Sequence, residues 1–264
     1  TTVKNKTITY SYTGKSNSGI SYSSTTGPTD AGSYTVTAKI VDTDGNHTNK
    51  TVSKDFTIER ATLTPTAKAN DKNYDGTTSA TGTITLTGAK YTDKPTATGT
   101  FKFTSADSNS NKAQTVNVTN ITLADTWKGN YVVSPTSLTT TATIKTVAGK
   151  IDTLTISDYT YGSTPSVPVI ESETNDIKNV TYSYSGTKSD GTKYGPSADA
   201  PTEAGSYVLT ATIPANSNYN QVTKTAEFKV NKKTLTPQFT VSNKVYDGTT
   251  TVNVTKQTIS GIVG

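Results

Sequence analysis

The chain has 264 residues, no Cys, no Met, a single His, a formal net charge of +5 and a pI near 9.1. That composition excludes disulfides and thiolate metal sites. With 31% hydrophobic residues, the chain cannot build one large core, but several small ones remain possible.

Thr makes up about a fifth of the chain by count and Tyr is the main aromatic. Both fit a pleated, half-buried surface better than a helix. No window combines helical periodicity with caps and Ala, Leu or Glu enrichment. There is no initiator Met, no leader-like segment and no apolar run long enough to span a bilayer. The chain reads as part of something longer, without membrane contact of its own. Its lysines are scattered, with no dense cluster interleaved with aromatics, so a nucleic-acid partner is not expected. The charge reads as solvated Lys that keeps the surface soluble, or as weak attraction to an anionic polymer.

In chain order, the segment starting at Ile8 (ITYSYTGKS) returns at Val180 (VTYSYSGTKS), and that at Gly27 (GPTDAGSYTVTAKI) returns at Ala200 (APTEAGSYVLTATI). Thr62–Pro65 (TLTP) returns at Thr234–Pro237, and Tyr74–Thr78 (YDGTT) at Tyr246–Thr250, both 172 residues on. Two different modules therefore alternate. Residues 1–60 form the first type with its start missing, 61–147 the second type, 148–232 the first type again, and 233–264 the second type cut short.

Each module reads as strands. In GSYVLTATI, Tyr207, Leu209 and Ala211 fall on one face and Val208, Thr210 and Thr212 on the other. In the second module TATGTITLTGAKY, ATGTFKFTSA, QTVNVTNITLA and GNYVVSPTSLTTTATI read the same way. Turn residues every eight to twelve positions suit antiparallel, immunoglobulin-like sandwiches. Gly32, Gly129 and Gly205 each precede a tyrosine by two places: Tyr34, Tyr131 and Tyr207. The Gly supplies backbone freedom, and the Tyr buries its ring and sends its hydroxyl to a backbone partner, as in a tyrosine corner. The expected whole is an all-β row of small sandwiches, elongated as a rod because only about two residues join strands across the breaks at Glu59 to Thr62 and Asn231 to Thr234. The terminal 233–264 segment cannot bury a core of its own. Its strands are expected to pair with the preceding module or with another copy.

On these motifs the first module type resembles the MBG-type bacterial surface repeat, through its Tyr-rich opening strand, the PTxAGSY segments at Pro28–Tyr34 and Pro201–Tyr207, and Asn218–Asn220. The second resembles the YDG-type repeat, through Lys72–Thr78 (KNYDGTT) and Lys244–Thr250 (KVYDGTT). The resemblance implies the repeat region of an extracellular adhesin at a bacterial cell surface or wall. It acts as a stalk that contacts neighbouring repeats, or itself binds host mucin glycans or host protein weakly. The resemblance identifies no ligand residue. The first copy departs from the pattern, with DTDGNHTNK where the second has PANSNYNQ.

Little in the sequence marks chemistry. His47 lies in a Gly/Asn/Asp turn without a counterpart in the second copy, so a histidine-based catalytic site is not expected, and carboxylates such as Asp75, Asp93 and Asp190 sit singly on turns. No cofactor and no metal is expected. Two segments imitate calcium loops: Asp42, Asp44 and Asn46, and Asp71, Asn73 and Asp75. The latter lacks a distal Glu, since Gly82 stands there, and its counterpart reads Asn243, Val245 and Asp247. Trp127 is the weak candidate for stacking on a sugar, against a role capping a sandwich core. Tyr194 could join such a patch. A Lys–Asn isopeptide staple remains open.

Overall fold

The computed structural model describes residues 2–3 and 6–263. It is nearly all strand, with three short 3-10 turns among the described residues. The chain divides into two compact units, residues 1–145 and 146–264.

The first unit opens with one sheet. Strands β1 (Thr2–Val3), β2 (Lys6–Ser16), β3 (Ser21–Ser24), β4 (Gly32–Asp42) and β5 (Lys50–Ile58) run antiparallel, in the order β1-β2-β4-β5 with β3 on the outer half of β2. Its aromatic centre is Tyr34, set edge-on to Tyr22 at 5.9 Å and tilted against Phe56 at 5.7 Å.

After Glu59 and Arg60 come β6 (Ala61–Ala69), β7 (Lys72–Asn73), β8 (Ser79–Ala80), β9 (Gly82–Thr87), β10 (Ala97–Phe103), β11 (Ala113–Leu123), β12 (Tyr131–Val133) and β13 (Leu138–Lys145). They form a sandwich of two sheets, β7-β13-β11-β10-β8 and β12-β6-β9. Alternation decides what faces inward: Val116, Val118, Ile121 and Leu63 are almost fully buried, while the Thr residues between them point out. The segment Gly129–Ile144 is two strands in different sheets rather than one. Pro135 has no N–H to offer a ladder, and the chain changes sheet there.

In the second unit β14 (Thr153–Thr155), β15 (Tyr159–Thr160), β16 (Val169–Glu171), β17 (Thr181–Lys188), β18 (Lys193–Ser197), β19 (Gly205–Ile213) and β20 (Val222–Asn231) form a pair β14-β16 and a sheet β15-β20-β19-β17-β18. Tyr207, Leu209, Ala211 and Ile213 are 0–2% exposed, as the alternation requires. Ile151, Leu154 and Tyr159 complete the cluster. The all-β, immunoglobulin-like sandwich expectation therefore holds, with one departure. The pairs β6–β12, β7–β13 and β15–β20 are parallel, because the chain crosses from one sheet to the other instead of turning back.

The terminal strands β21 (Thr236–Val241) and β22 (Val254–Ser260) correct another expectation. Among the described residues they pair only with each other. They reproduce the β6–β9 hairpin, with Val241 opposite Val254 as Ala69 is opposite Gly82. β21 starts at Thr236, not Thr234, because Ala61–Leu63 owe their ladder to β12, and their counterparts Lys233–Leu235 have no such strand beside them.

Candidate ligand and metal sites

The two repeated tyrosine corners form as the spacing suggests. The Tyr34 hydroxyl donates to the Asp30 carbonyl at 2.9 Å, and Tyr207 donates to the Glu203 carbonyl at 2.7 Å. Burial pushes both phenols above their ordinary range. The glycines serve differently from the expectation. Gly32 and Gly205 do not adopt the positive φ that favours Gly. A Cβ on Gly32 would sit 2.4 Å from the Lys15 carbonyl oxygen, and one on Gly205 2.5 Å from that of Thr187. Close passage of the neighbouring strand, not backbone freedom, demands Gly.

Tyr131 is no corner. Its hydroxyl donates to the Asp93 carboxylate at 2.6 Å and accepts from the Lys90 N–H at 3.0 Å, pinning the β9–β10 loop. Gly129 lies where the first sheet meets the sandwich, and a Cβ there would sit 2.0 Å from the Ser18 hydroxyl. Beside it the Asn130 side chain accepts from the Ala31 N–H and donates to the Asp30 carboxylate, each at 2.8 Å. This buttress was not legible, because its residues are about a hundred positions apart.

Trp127 is half-buried against the sandwich core, edge-on to Tyr131 at 6.2 Å, with its N–H backbone donor on the Ala124 carbonyl. The open cleft of that module, of about 1030 Å³, lies between β9 and β10 and is lined by Thr83, Thr85, Thr98, Gly99 and Phe101. Trp127 is not among its lining residues. Tyr194 is likewise engaged, donating to the Asp199 carbonyl at 2.8 Å and set edge-on to Tyr207 at 5.7 Å.

Among the described residues, Asp42, Asp44 and His47 are the one group of acidic or histidine ligands close enough to hold a metal ion. Lys6 lies across it, bonded to the Asp42 carboxylate and at 2.9 Å to that of Asp44. The Asp42 side chain is only 3% exposed, and the Lys6 ammonium holds its carboxyl well below the usual range. The Asp44 carboxylate also accepts the Asn46 N–H at 3.2 Å. His47 is exposed, its Nδ1 3.6 Å from Asp42. An ammonium thus stands where a cation would.

The second calcium-like segment is divided between two tasks. Asp71 accepts the Thr143 N–H at 2.8 Å. Asp75 caps the Tyr-Asp-Gly turn, accepting the Thr77 N–H at 2.9 Å and the Lys72 ammonium at 2.7 Å. Lys72 also donates to the Thr77 carbonyl at 2.7 Å. Lys244, Asp247 and Thr249 repeat this arrangement in the second copy. The shared KxYDGTT string is therefore a lysine-clamped Asx turn. For an isopeptide staple, Lys and Asn must meet in a core. Asn175, the one buried Asn among the described residues, donates to the Pro214 and Asn220 carbonyls. The inward-turned Lys224 ends on the carbonyls of Ile151 and Asp152.

No curated protein matches the chain. Among solved structures it is similar to the extracellular cadherin domains 3–6 of protocadherin gamma B2, at 10% identity and a TM-score of 0.31, covering 90% of this chain and 69% of that one. It is also similar to Drosophila N-cadherin EC1-4, at 8% and 0.24, covering 90% and 71%. These likenesses are too low to carry an argument. The clamped turn and the sandwich around it are matched by a family: residues 57–140 are a YDG domain.

Proposed function

We propose that this chain is the repeat region of a bacterial surface adhesin, a non-catalytic extracellular stalk of alternating MBG-like and YDG-like modules that holds a binding region away from the cell. The observation that carries the reading is the spending of polar side chains on scaffold. The tyrosine corners, the lysine-clamped turns and the Asn130 buttress each tie one strand or turn to another. The modules are strung as an elongated rod. Mucin glycans are bound weakly at most, through surface lysines, and such attraction is screened at moderate salt. The test is mucin binding across a salt series with the wild type and Trp127→Ala. Binding that fades with salt and is indifferent to Trp127 is expected. Saturable, salt-resistant binding lost in Trp127→Ala overturns the stalk and makes these repeats the adhesive part.

A further inference from the structure

The two copies of the first module type superpose strand for strand, yet only one has a lid. Tyr12 faces Val36 and Tyr10 faces Ala38 across β2 and β4. The equivalent pairs across β17 and β19 are Tyr184 with Leu209 and Tyr182 with Ala211. The aromatic sets match: Tyr34–Phe56 and Tyr207–Phe228 are both 5.7 Å apart. In the second copy the segment 150–171 covers this face. Ile151 and Leu154 lie on it, Tyr159 stacks on Phe228 at 5.8 Å, and Tyr159–Thr160 add a parallel strand to the edge of β20. Tyr159 also hydrogen-bonds the Pro201 carbonyl.

The first copy shows the same surface bare. Ile40 is 37% exposed where Ile213 is 0%, and Val52 is 55% exposed. Val36, Ala38 and Phe56 are half-exposed where Leu209, Ala211 and Phe228 are buried. Pro28 is half-exposed where Pro201 is fully buried. None of the three buried apolar clusters contains a residue of the first sheet.

We infer that the β2–β4–β5 face and the free edge of β5 are a docking site for an extended, acidic β segment of the kind the chain carries at residues 150–171, supplied by another molecule. Adding a strand to an open edge gives main-chain hydrogen bonds, and alternate side chains fill the face. Charge agrees with this occupant. Residues 148–176 hold Asp152, Asp158, Glu171, Glu173 and Asp176 against the single Lys150. The receiving edge strand places Lys50 opposite Ile40 and Lys54 opposite Val36, where the second copy has Val222 and Ala226. The site therefore favours an acidic guest more than the covered copy does.

The experiment adds a synthetic peptide of residues 148–176 to the full chain and follows amide shifts and calorimetric heat. Saturable binding that shifts residues 8–58 and leaves 180–230 unmoved is expected. Tyr159→Ala in the peptide, or Val52→Glu on the exposed edge of the protein, weakens it by about tenfold or more. Val36→Lys serves as a second variant, checked for retained strand signal before titration. No saturable binding, binding that ignores these substitutions, or shifts confined to the covered copy overturns the inference. So does a stable dimer of the protein alone that buries this face, since the occupant would then be a second copy of the sheet.

Discussion

Tyr207 separates the worth of a tyrosine ring from that of its hydroxyl. The ring is 2% exposed, stacked on Phe228 and flanked edge-on by Tyr194, each at 5.7 Å, and the hydroxyl meets the Glu203 carbonyl at 2.7 Å. Tyr207→Phe keeps every ring contact and removes one hydrogen bond, a loss of about 1 kcal/mol. The Glu203 carbonyl lies near the surface and can recruit water, which keeps the loss near that figure. Tyr207→Ala empties the centre of the cluster and costs about 3–5 kcal/mol, the range for deleting a buried aromatic ring. For a module of this size, each kcal/mol lowers the midpoint by roughly 4–8 °C. Calorimetry of both variants should therefore show the transition of the second unit falling by several degrees for Phe and by more than ten, or vanishing, for Ala. Tyr34→Phe, with the same bond to Asp30, should behave like Tyr207→Phe. Tyr10→Phe, at an exposed position, should change nothing. A Tyr207→Phe midpoint equal to wild type, or one as low as Ala, would refute the separation of ring and hydroxyl.

Burial pushes the Tyr159 phenol up to about 12. Its neutral form is favoured in the fold, so its contribution is complete below about 10, the free phenol value, and is lost as pH rises towards 12. Ultraviolet titration should show a late-ionising tyrosine whose step coincides with unfolding of the second unit; a step at the ordinary value would count against it. The Lys72 ammonium, followed by the Thr77 N–H, lowers the Asp75 carboxyl to about 2. Its stabilising effect is present above the free carboxylate value of about 3.9 and is lost as pH falls to about 2. For Asp247 the Thr249 N–H comes first and Lys244 second. Carboxylate NMR should accordingly show Lys72→Met raising Asp75 further than Lys244→Met raises Asp247, and equal shifts would contradict the ordering. With Lys6 across Asp42 and Asp44, melting midpoints in calcium and in chelator should coincide; a calcium-dependent rise of more than a few degrees would show the ammonium yielding to the ion.

Period-two alternation made much of this fold legible. Leu209, Ala211 and the Thr residues between them lie where the pattern puts them, because burial on one sheet face is a local property. Sheet crossings are not local. Three-residue and two-residue strands such as β12 and β15 are too short to show a period, and their parallel partners lie more than sixty residues away in sequence. The site residues divide in the same way. The tyrosine corners close over four residues and could be read from spacing, whereas Tyr131 looked identical in sequence and found Asp93 instead. Lys6 gave no sign that it would lie across the Asp42 turn, since the two meet only when β2 pairs with β4. Nor did the two copies look different where it mattered: their strands match, and the lid over one of them comes from a segment outside the repeat match.

The parallel pairs change how a module bears tension. In the second unit, β15 near the start of the sandwich lies parallel to β20 at its end, and in the YDG domain β7 lies parallel to the closing strand β13. Pulling the two ends of such a module apart slides parallel strands along each other, so the ladder bonds are loaded together in shear. The first sheet has only antiparallel pairs among its described strands, and its edge bonds can open one after another, like a zipper. Force spectroscopy should show this sheet yielding first, well below the other modules. Docking an edge strand on β5 in parallel should bring its rupture force up to theirs, which would make the grip of this segment depend on whether its edge is occupied.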